Sequence, residues 1–207
     1  SVVTLGGLGD DGSWLKTFPI TRDDKPLLFD EQLQAKHAYW GIVDPLRLPV
    51  IPKTLQVVKG TAKIDGLKEA RWNSVAAQPL HTREDAASWA QFSALWSKDT
   101  LYLFAEVDDR FGKGDRIDVY LGAAHYVFKT IGKQHKPNVE SMLLSTHRGY
   151  RLEAAIKVGR SLAVNDELSF DIRVTDSGDA RLSWSDTAHL QDMQTSNFGE
   201  LVLIAAP

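Results

Sequence analysis

From Thr54 onward the chain is a succession of short apolar or alternating segments separated by turn residues, and that rhythm restricts it to β architecture. The segments span residues 55–58, 90–96, 101–107, 116–121, 126–131, 151–158, 168–175 and 199–205. In the fourth, Ile117, Val119 and Leu121 alternate with Asp118 and Tyr120; in the seventh, Phe170, Ile172 and Val174 alternate with Asp171 and Arg173. Successive side chains of a strand point to opposite faces, so the apolar set belongs to a core and Asp118 faces away from it. No long helical pattern intervenes. The expectation is a mainly-β fold, an antiparallel β-sandwich with one face of each sheet buried.

The first 53 residues have a different character. A short apolar run (Val2, Val3, Leu5, Leu8) reads as a strand and turns through Gly9 to Ser13 into Trp14. Leu27, Leu28 and Phe29, then Leu33, His37, Ala38, Trp40 and Ile42, predict a helix of about 12–15 residues with Asp30 as N-cap. Pro45, Pro49 and Pro52 break it, so residues 46–53 are a stiff linker. One strand and one helix cannot bury their own apolar faces and must pack on something else. The organisation expected is residues 1–45, a linker over 46–53, and a sandwich over 54–207.

Several classes of function are excluded early. A formal charge of −3 over 207 residues is no footprint for a nucleic acid. The absence of cysteine removes disulfides, thiolate metal sites and cysteine nucleophiles together. No run approaches the roughly 18 apolar residues of a membrane span. The N-terminus lacks the basic start and apolar core of a signal peptide, so a secretion signal is expected upstream of the chain or already removed.

The polar stretch 183–199 hangs between two strand-like segments and offers Asp186, His189, Asp192 and Asn197. Such long loops in compact domains tend to be functional or disordered, and this one is polar enough to bind a ligand or to be only a connection. Phe111, in the turn 110–114, is an aromatic that the turn would expose. Of the six tryptophans, Trp72, Trp96 and Trp184 are expected in the core and Trp89 has no evident place.

Two resemblances sharpen this reading. Val3-Thr4-Leu5-Gly6-Gly7-Leu8-Gly9-Asp10, Ser13-Trp14-Leu15, Pro26-Leu27-Leu28-Phe29-Asp30 and Ala38-Tyr39-Trp40-Gly41-Ile42-Val43-Asp44 make residues 1–45 resemble the end of a family 10 glycoside hydrolase, a xylanase-type (β/α)₈ barrel. The resemblance implies that the last barrel strand and helix are present and that the family's two catalytic glutamates, on earlier strands, are not. Gly6 stands where the family usually has a tryptophan. No catalysis is expected from this chain on its own, because a glycosidase needs two carboxyls roughly 5–10 Å apart across the scissile bond.

Ile64-Asp65-Gly66 with Trp72, residues 95–103, Ala105-Glu106-Val107-Asp108-Asp109, residues 115–120, residues 149–157, Ser183-Trp184-Ser185-Asp186 and Phe198-Gly199-Glu200-Leu201 are similar in order to a family 9 carbohydrate-binding module. Such modules grip the end of a polysaccharide between two tryptophans, whose indoles cover the apolar faces of a pyranose while polar groups take its hydroxyls. The resemblance places one wall at Phe111 and the other at Asp192, neither a tryptophan. It implies saccharide-binding roles for Asp118, Lys129, Arg173 and His189, and a structural Ca²⁺ held by oxygens from among Asp65, Glu69, Asp108, Asp109 and Asp115.

The function expected is a non-catalytic carbohydrate-binding module targeting a secreted xylan-degrading enzyme to xylan or cellulose chain ends. Its partners would be polysaccharide and an upstream xylanase domain, with neither nucleic acid nor membrane. The alternative is a structural or docking sandwich that has lost its sugar site. Haem ligation by Met142, Met193, His125 or His147 is a third class that no spacing selects.

Overall fold

The computed structural model describes residues 7–16, 25–44, 47–48, 52–81, 89–177, 180–187, 191–193 and 195–206. Contacts divide the chain into two units, Ser1–Ile51 and Pro52–Pro207.

In the first unit, Gly9 forms a parallel bridge with Phe29, which in turn bridges Ala35, and Asp10–Gly12 forms a single 3₁₀ turn. The buried Asp10 carboxylate ties the unit together, accepting from the Leu27 N–H at 2.9 Å and the Lys36 ammonium at 2.8 Å. The expected long helix is shorter: α1 spans His37–Val43. Asp30 caps a turn instead of a helix, because its Oδ1 accepts the N–H groups of Gln32 and Gln34 while Leu33 sits at φ 58°. A short polar side chain that satisfies nearby N–H groups offers the backbone an alternative to helix, and a left-handed residue ends any continuation. Of the apolar run expected to form a strand, Val2, Val3 and Leu5 lie outside the described residues and Leu8 within them.

The second unit is built of strands. In chain order they are β1 (Thr54–Lys59), β2 (Gln78–Pro79), β3 (Ala90–Ser97), β4 (Thr100–Val107), β5 (Arg116–Leu121) and β6 (Ala124–Phe128). There follow β7 (Gly132–Lys136), β8 (Val139–Ser145), β9 (Tyr150–Lys157), β10 (Glu167–Thr175), β11 (Arg181–Ser183) and β12 (Gly199–Ile204). A helical turn, α2 (Ala70–Asn73), lies between β1 and β2. The hydrogen-bonded path is β6-β5-β10-β12-β1-β3-β4-β9-β8-β7, with β11 on β10 and β2 on β3.

All pairings are antiparallel except those of β1, which runs parallel to both β12 and β3. The expected sandwich is therefore one folded-over sheet in which β1 joins the two halves. Its halves bury one core: Phe92 of β3 lies 5.5 Å from Phe170 of β10 and 5.6 Å from Trp184, centroid to centroid. Trp72, Trp96 and Trp184 are each 1 % exposed, as expected of core residues.

Trp72 does not join that core. With Leu95 and Phe104 it forms a second cluster on the outer face of the β3–β4 half, where segment 60–75 covers the sheet. The buried carboxylate of Glu153 fixes that cover, accepting the N–H groups of Asp65 and Gly66 and the Trp72 indole N–H at 3.0, 2.6 and 2.9 Å. Burial pushes the Glu153 carboxyl up against the opposing effect of those three donors.

Candidate functional site

The polar residues of β5 and β10 share a face because their registers match. Arg173 pairs with Asp118, Asp171 with Tyr120 and Thr175 with Arg116, while Ile117, Val119, Ile172 and Val174 point to the core. On the other flank of β5, His125 pairs with Tyr120. Loop 184–198 covers this face, so Asp118 and Arg173 are each 1 % exposed although they face away from the core.

Asp171 explains how the loop is held. Its two oxygens accept the N–H groups of Ser185 and Asp186, both at 2.9 Å, and the Gln191 amide at 3.0 Å. The same amide nitrogen reaches Ser183 Oγ and the Asp186 carbonyl, each at 2.9 Å. Burial raises the Asp171 carboxyl above its ordinary pKa, and the three loop donors work to lower it.

Arg173 stands between two carboxylates. Its Nη2 lies 3.2 Å from Asp118 Oδ2 and its Nη1 2.9 Å from Asp192 Oδ2. Asp118 also accepts from Arg116 Nε at 3.0 Å and meets His125 Nε2 at 2.9 Å. Tyr120 donates to Asp192 Oδ1 at 2.8 Å, stacks on His125 with ring centroids 4.3 Å apart, and carries the Arg173 guanidinium 5.3 Å above its ring. Partial burial works to raise the pKa of Asp192, but the hydrogen bonds from Arg173 and Tyr120 hold it below the ordinary carboxylate value. Desolvation and the hydrogen bond to Asp192 push the Tyr120 hydroxyl far up, so it stays a donor.

Beside this network lies a depression of ≈ 350 Å³ whose walls include Tyr120, His125, Asp192, Met193 and Phe198. Asp192 is 54 % exposed there and His125 38 %, so these two bring the buried network to the surface.

Of the residues expected at a saccharide site, the structure brings Asp118, Arg173 and Asp192 into direct contact. Phe111 is elsewhere: half-buried, its ring meets Tyr150 edge-on at 5.1 Å and packs on the core. Packing on Tyr150 keeps the Phe111 ring away from the Arg173 network. Lys129 is exposed beyond the end of β6 and takes no part in the network. His189 lies outside the described residues. Sequence reasoning missed Tyr120, His125, Arg116 and Gln191; the alternation placed Tyr120 on the face of Asp118, and pairing of β5 with β6 would have added His125.

The expected cation ligands Asp65, Glu69 and Asp108 do not converge. Asp65 pairs with Lys63 at 3.0 Å and accepts the Leu67 N–H, Glu69 faces the Lys63 N–H, and Asp108 is exposed at the end of β4. Among the described residues the carboxylates that do converge are Asp109, Asp115 and Asp176, with oxygens within 4.8 Å of one another. Asp115 is 2 % exposed and accepts the N–H groups of Gly112 and Ser177. Burial raises the Asp109 carboxyl, and Asp176 and Asp115 beside it add to the rise. Three hard oxygen donors of like charge are a donor set suited to a Ca²⁺-like cation.

Comparison with known proteins agrees with both halves of this description. The glycosyl hydrolase family 10 model matches residues 1–45. Endo-1,4-beta-xylanase C of Paenibacillus barcinonensis is 33 % identical over 97 % of the chain, and endo-1,4-beta-xylanase A of Thermotoga neapolitana 30 % identical over 97 %. The chain covers 21 % and 20 % of these relatives, about a fifth of their length. Two solved structures of a family 9 carbohydrate-binding module from Caldicellulosiruptor kristjanssonii, one in complex with cellotriose and one with glucose, superpose with TM-scores of 0.63 and 0.64. They are 23 % and 22 % identical, span 75 % of the chain, and are themselves covered to 95 % and 97 %. Residues 1–45 thus match the glycosyl hydrolase family 10 model, and the β-sandwich that follows has the fold of the family 9 carbohydrate-binding modules.

Proposed function

We propose that the sandwich is a non-catalytic saccharide-binding module that holds a secreted xylan-degrading enzyme on plant cell-wall polysaccharide, at xylan or cellulose chain ends. The observation that carries this reading is the Asp118–Arg173–Asp192 network opening through Asp192 and His125 into the depression beside β5 and β6. A saccharide hydroxyl can donate to Asp192 and exchange with His125, while the buried Arg173 keeps the Asp192 carboxylate ionised and oriented. The likeness to xylanases and to a module solved with cellotriose supports the ligand class. Binding of this kind raises the effective concentration of a linked catalytic domain near its polymer. Hydrolysis is assigned to the parts of the family 10 barrel that lie upstream in this reading.

A structural cation belongs to the same proposal, and Asp109, Asp115 and Asp176 are the residues that would hold it. Its contribution would be to neutralise three converging carboxylates beneath the turn carrying Phe111.

Calorimetry with xylobiose, xylohexaose, cellobiose and soluble xylan tests the saccharide reading on folded protein with calcium present. Heat of binding for at least one of them is expected, and none for any of them rejects the reading.

The self-pairing of Asp192 with Arg173, where a stacking wall is expected, favours one other reading: a docking or structural sandwich. That reading expects no sugar affinity together with concentration-dependent association. A monomer at all concentrations in sedimentation, together with millimolar or tighter sugar binding, removes it.

A further inference from the structure

A groove of ≈ 530 Å³ lies in the other half of the sheet path, across the ends of β3, β4 and β9. Its chemistry comes from strand register. Gln91, Glu106 and Arg151 are directly paired across the three strands and project from the face opposite Phe92, Ala105 and Leu152. Glu106 is their hub, accepting from Gln91 Nε2 at 3.2 Å and from Arg151 Nε at 3.3 Å, with Lys68 paired to it from segment 60–75.

One row further along, the Asp108 N–H bonds the Trp89 carbonyl at 2.7 Å. Side-chain alternation then sets Trp89 on the face of Gln91 and Asp108 on the face of Glu106. The neighbour of Asp108 in this row is Gly149, where a Cβ would meet the Val107 carbonyl oxygen at 1.9 Å. Gly149 thus lets the chain pass close to the end of β4, and the half-buried Trp89, which also packs on the core, lines the groove among the described residues.

The ionised groups in the lining, Glu106 and Asp108 against Arg148 and Arg151, balance in charge. Among the described residues Asp108 and Arg148 are exposed and make no ion pair. An uncharged ligand with many hydroxyls fits such a lining: each hydroxyl finds both an acceptor and a donor, and a ring with an apolar face finds the indole. A charged ligand would leave one sign of the lining unanswered.

We propose that this groove is a second saccharide site, taking a neutral β-linked pyranose of a xylose- or glucose-type chain. One ring face lies against Trp89, and the hydroxyls are held by Gln91, Glu106, Asp108 and Arg148. The proposal rests on the saccharide reading above and adds a subsite remote from the Arg173 network. Two sites on one module let a single polymer chain be held at two points, which raises avidity without any new contact.

Nitrogen–proton spectra of the full 207-residue chain, titrated with xylohexaose and with cellohexaose, test it and distinguish the two sugar types. The Trp89 indole N–H and the amides of residues 148–151 are expected to shift. Trp89→Ala should weaken that response about tenfold, as truncation of a central aromatic anchor does. Gln91→Ala, at an exposed position, should weaken it in a protein whose folding is not in question. Asp192→Ala should leave the Trp89 indole shift present, reduced at most by the lost avidity of two-point binding. Shifts confined to residues 120–125 and 191–193, with affinity unchanged by Trp89→Ala and Gln91→Ala, overturn the second site and leave the saccharide reading standing. Spectra that neither sugar moves anywhere overturn both.

Discussion

Asp192 reaches Arg173 at 2.9 Å from a loop, and Asp118 reaches the same guanidinium at 3.2 Å from the adjacent strand. The cation is buried and one of its two anions is half exposed. Arg173 thus satisfies Asp118 inside the protein while presenting Asp192 at the surface, and the two contacts respond differently to substitution.

Removing the cation is the costly change. Arg173→Met should leave Asp118 with Arg116 and His125 as its remaining partners, at a cost of about 1–3 kcal/mol, because a buried carboxylate loses one of its charged donors. Asp118→Asn combined with Arg173→Met should cost less than the sum of the single changes. Urea unfolding of the three variants measures the coupling, and strict additivity would show that the pair does not act as a unit.

Asp192 is expected to contribute stability that is lost on acidification. Its folded pKa lies below the ordinary value of 3.8, so its pairing stabilises the fold above that value and is lost as pH falls through the depressed one. Exposure limits the contribution to below about 1 kcal/mol. Asp192→Asn should flatten that part of the acid limb of the stability curve, while an acid limb identical to wild type would mean that the Arg173 contact stores nothing.

The β-sandwich was legible from residues 54 onward because alternation in segments such as 116–121 and 168–175 forces one face inward. Strands β7 and β8 were not, since Gly132–Lys136 carries almost no apolar residue and forms by pairing with its neighbour alone. The network was legible only as separate residues, since the resemblance singles out Asp118, Arg173 and Asp192 one by one. Their mutual pairing was not, because it depends on how loop 184–198 folds, and that is dictated by the buried Asp171, which in sequence is one more polar residue in an alternating strand. The helix expected from Asp30 failed for a local reason of the same kind, since a side chain able to cap a helix is equally able to cap a turn.

Glu153 sets the stability of segment 60–75. Glu153→Ala removes the acceptor of three donors, two backbone N–H groups and the Trp72 indole, and should destabilise by about 3–5 kcal/mol. Hydrogen exchange at Asp65 and Gly66 should accelerate more than at core strands β5 and β10. Glu153→Gln keeps the volume and one of the two acceptor oxygens and should cost less, and equal losses in the two variants would assign the effect to the second, charged acceptor oxygen.

The convergence of Asp109, Asp115 and Asp176 makes a prediction in which pH and metal act together. Burial, with Asp176 and Asp115 nearby, raises the folded pKa of Asp109 above 3.8. A raised carboxyl binds its proton more tightly in the folded than in the unfolded chain, so stability should fall as pH rises through the window from the ordinary value up to the raised one. A divalent cation replaces the proton and removes the repulsion that opposes its loss. In chelator, thermal unfolding should therefore move to lower temperature as pH rises across that window. Calcium at about a hundredfold excess over its dissociation constant should restore about 2.7 kcal/mol at neutral pH. Asp176→Asn should weaken both the pH effect and the calcium effect, since it removes one charge from the cluster and one strong ligand. Melting temperatures that are the same in chelator and in calcium at every pH would show that the three carboxylates relieve one another by protonation alone and hold no cation.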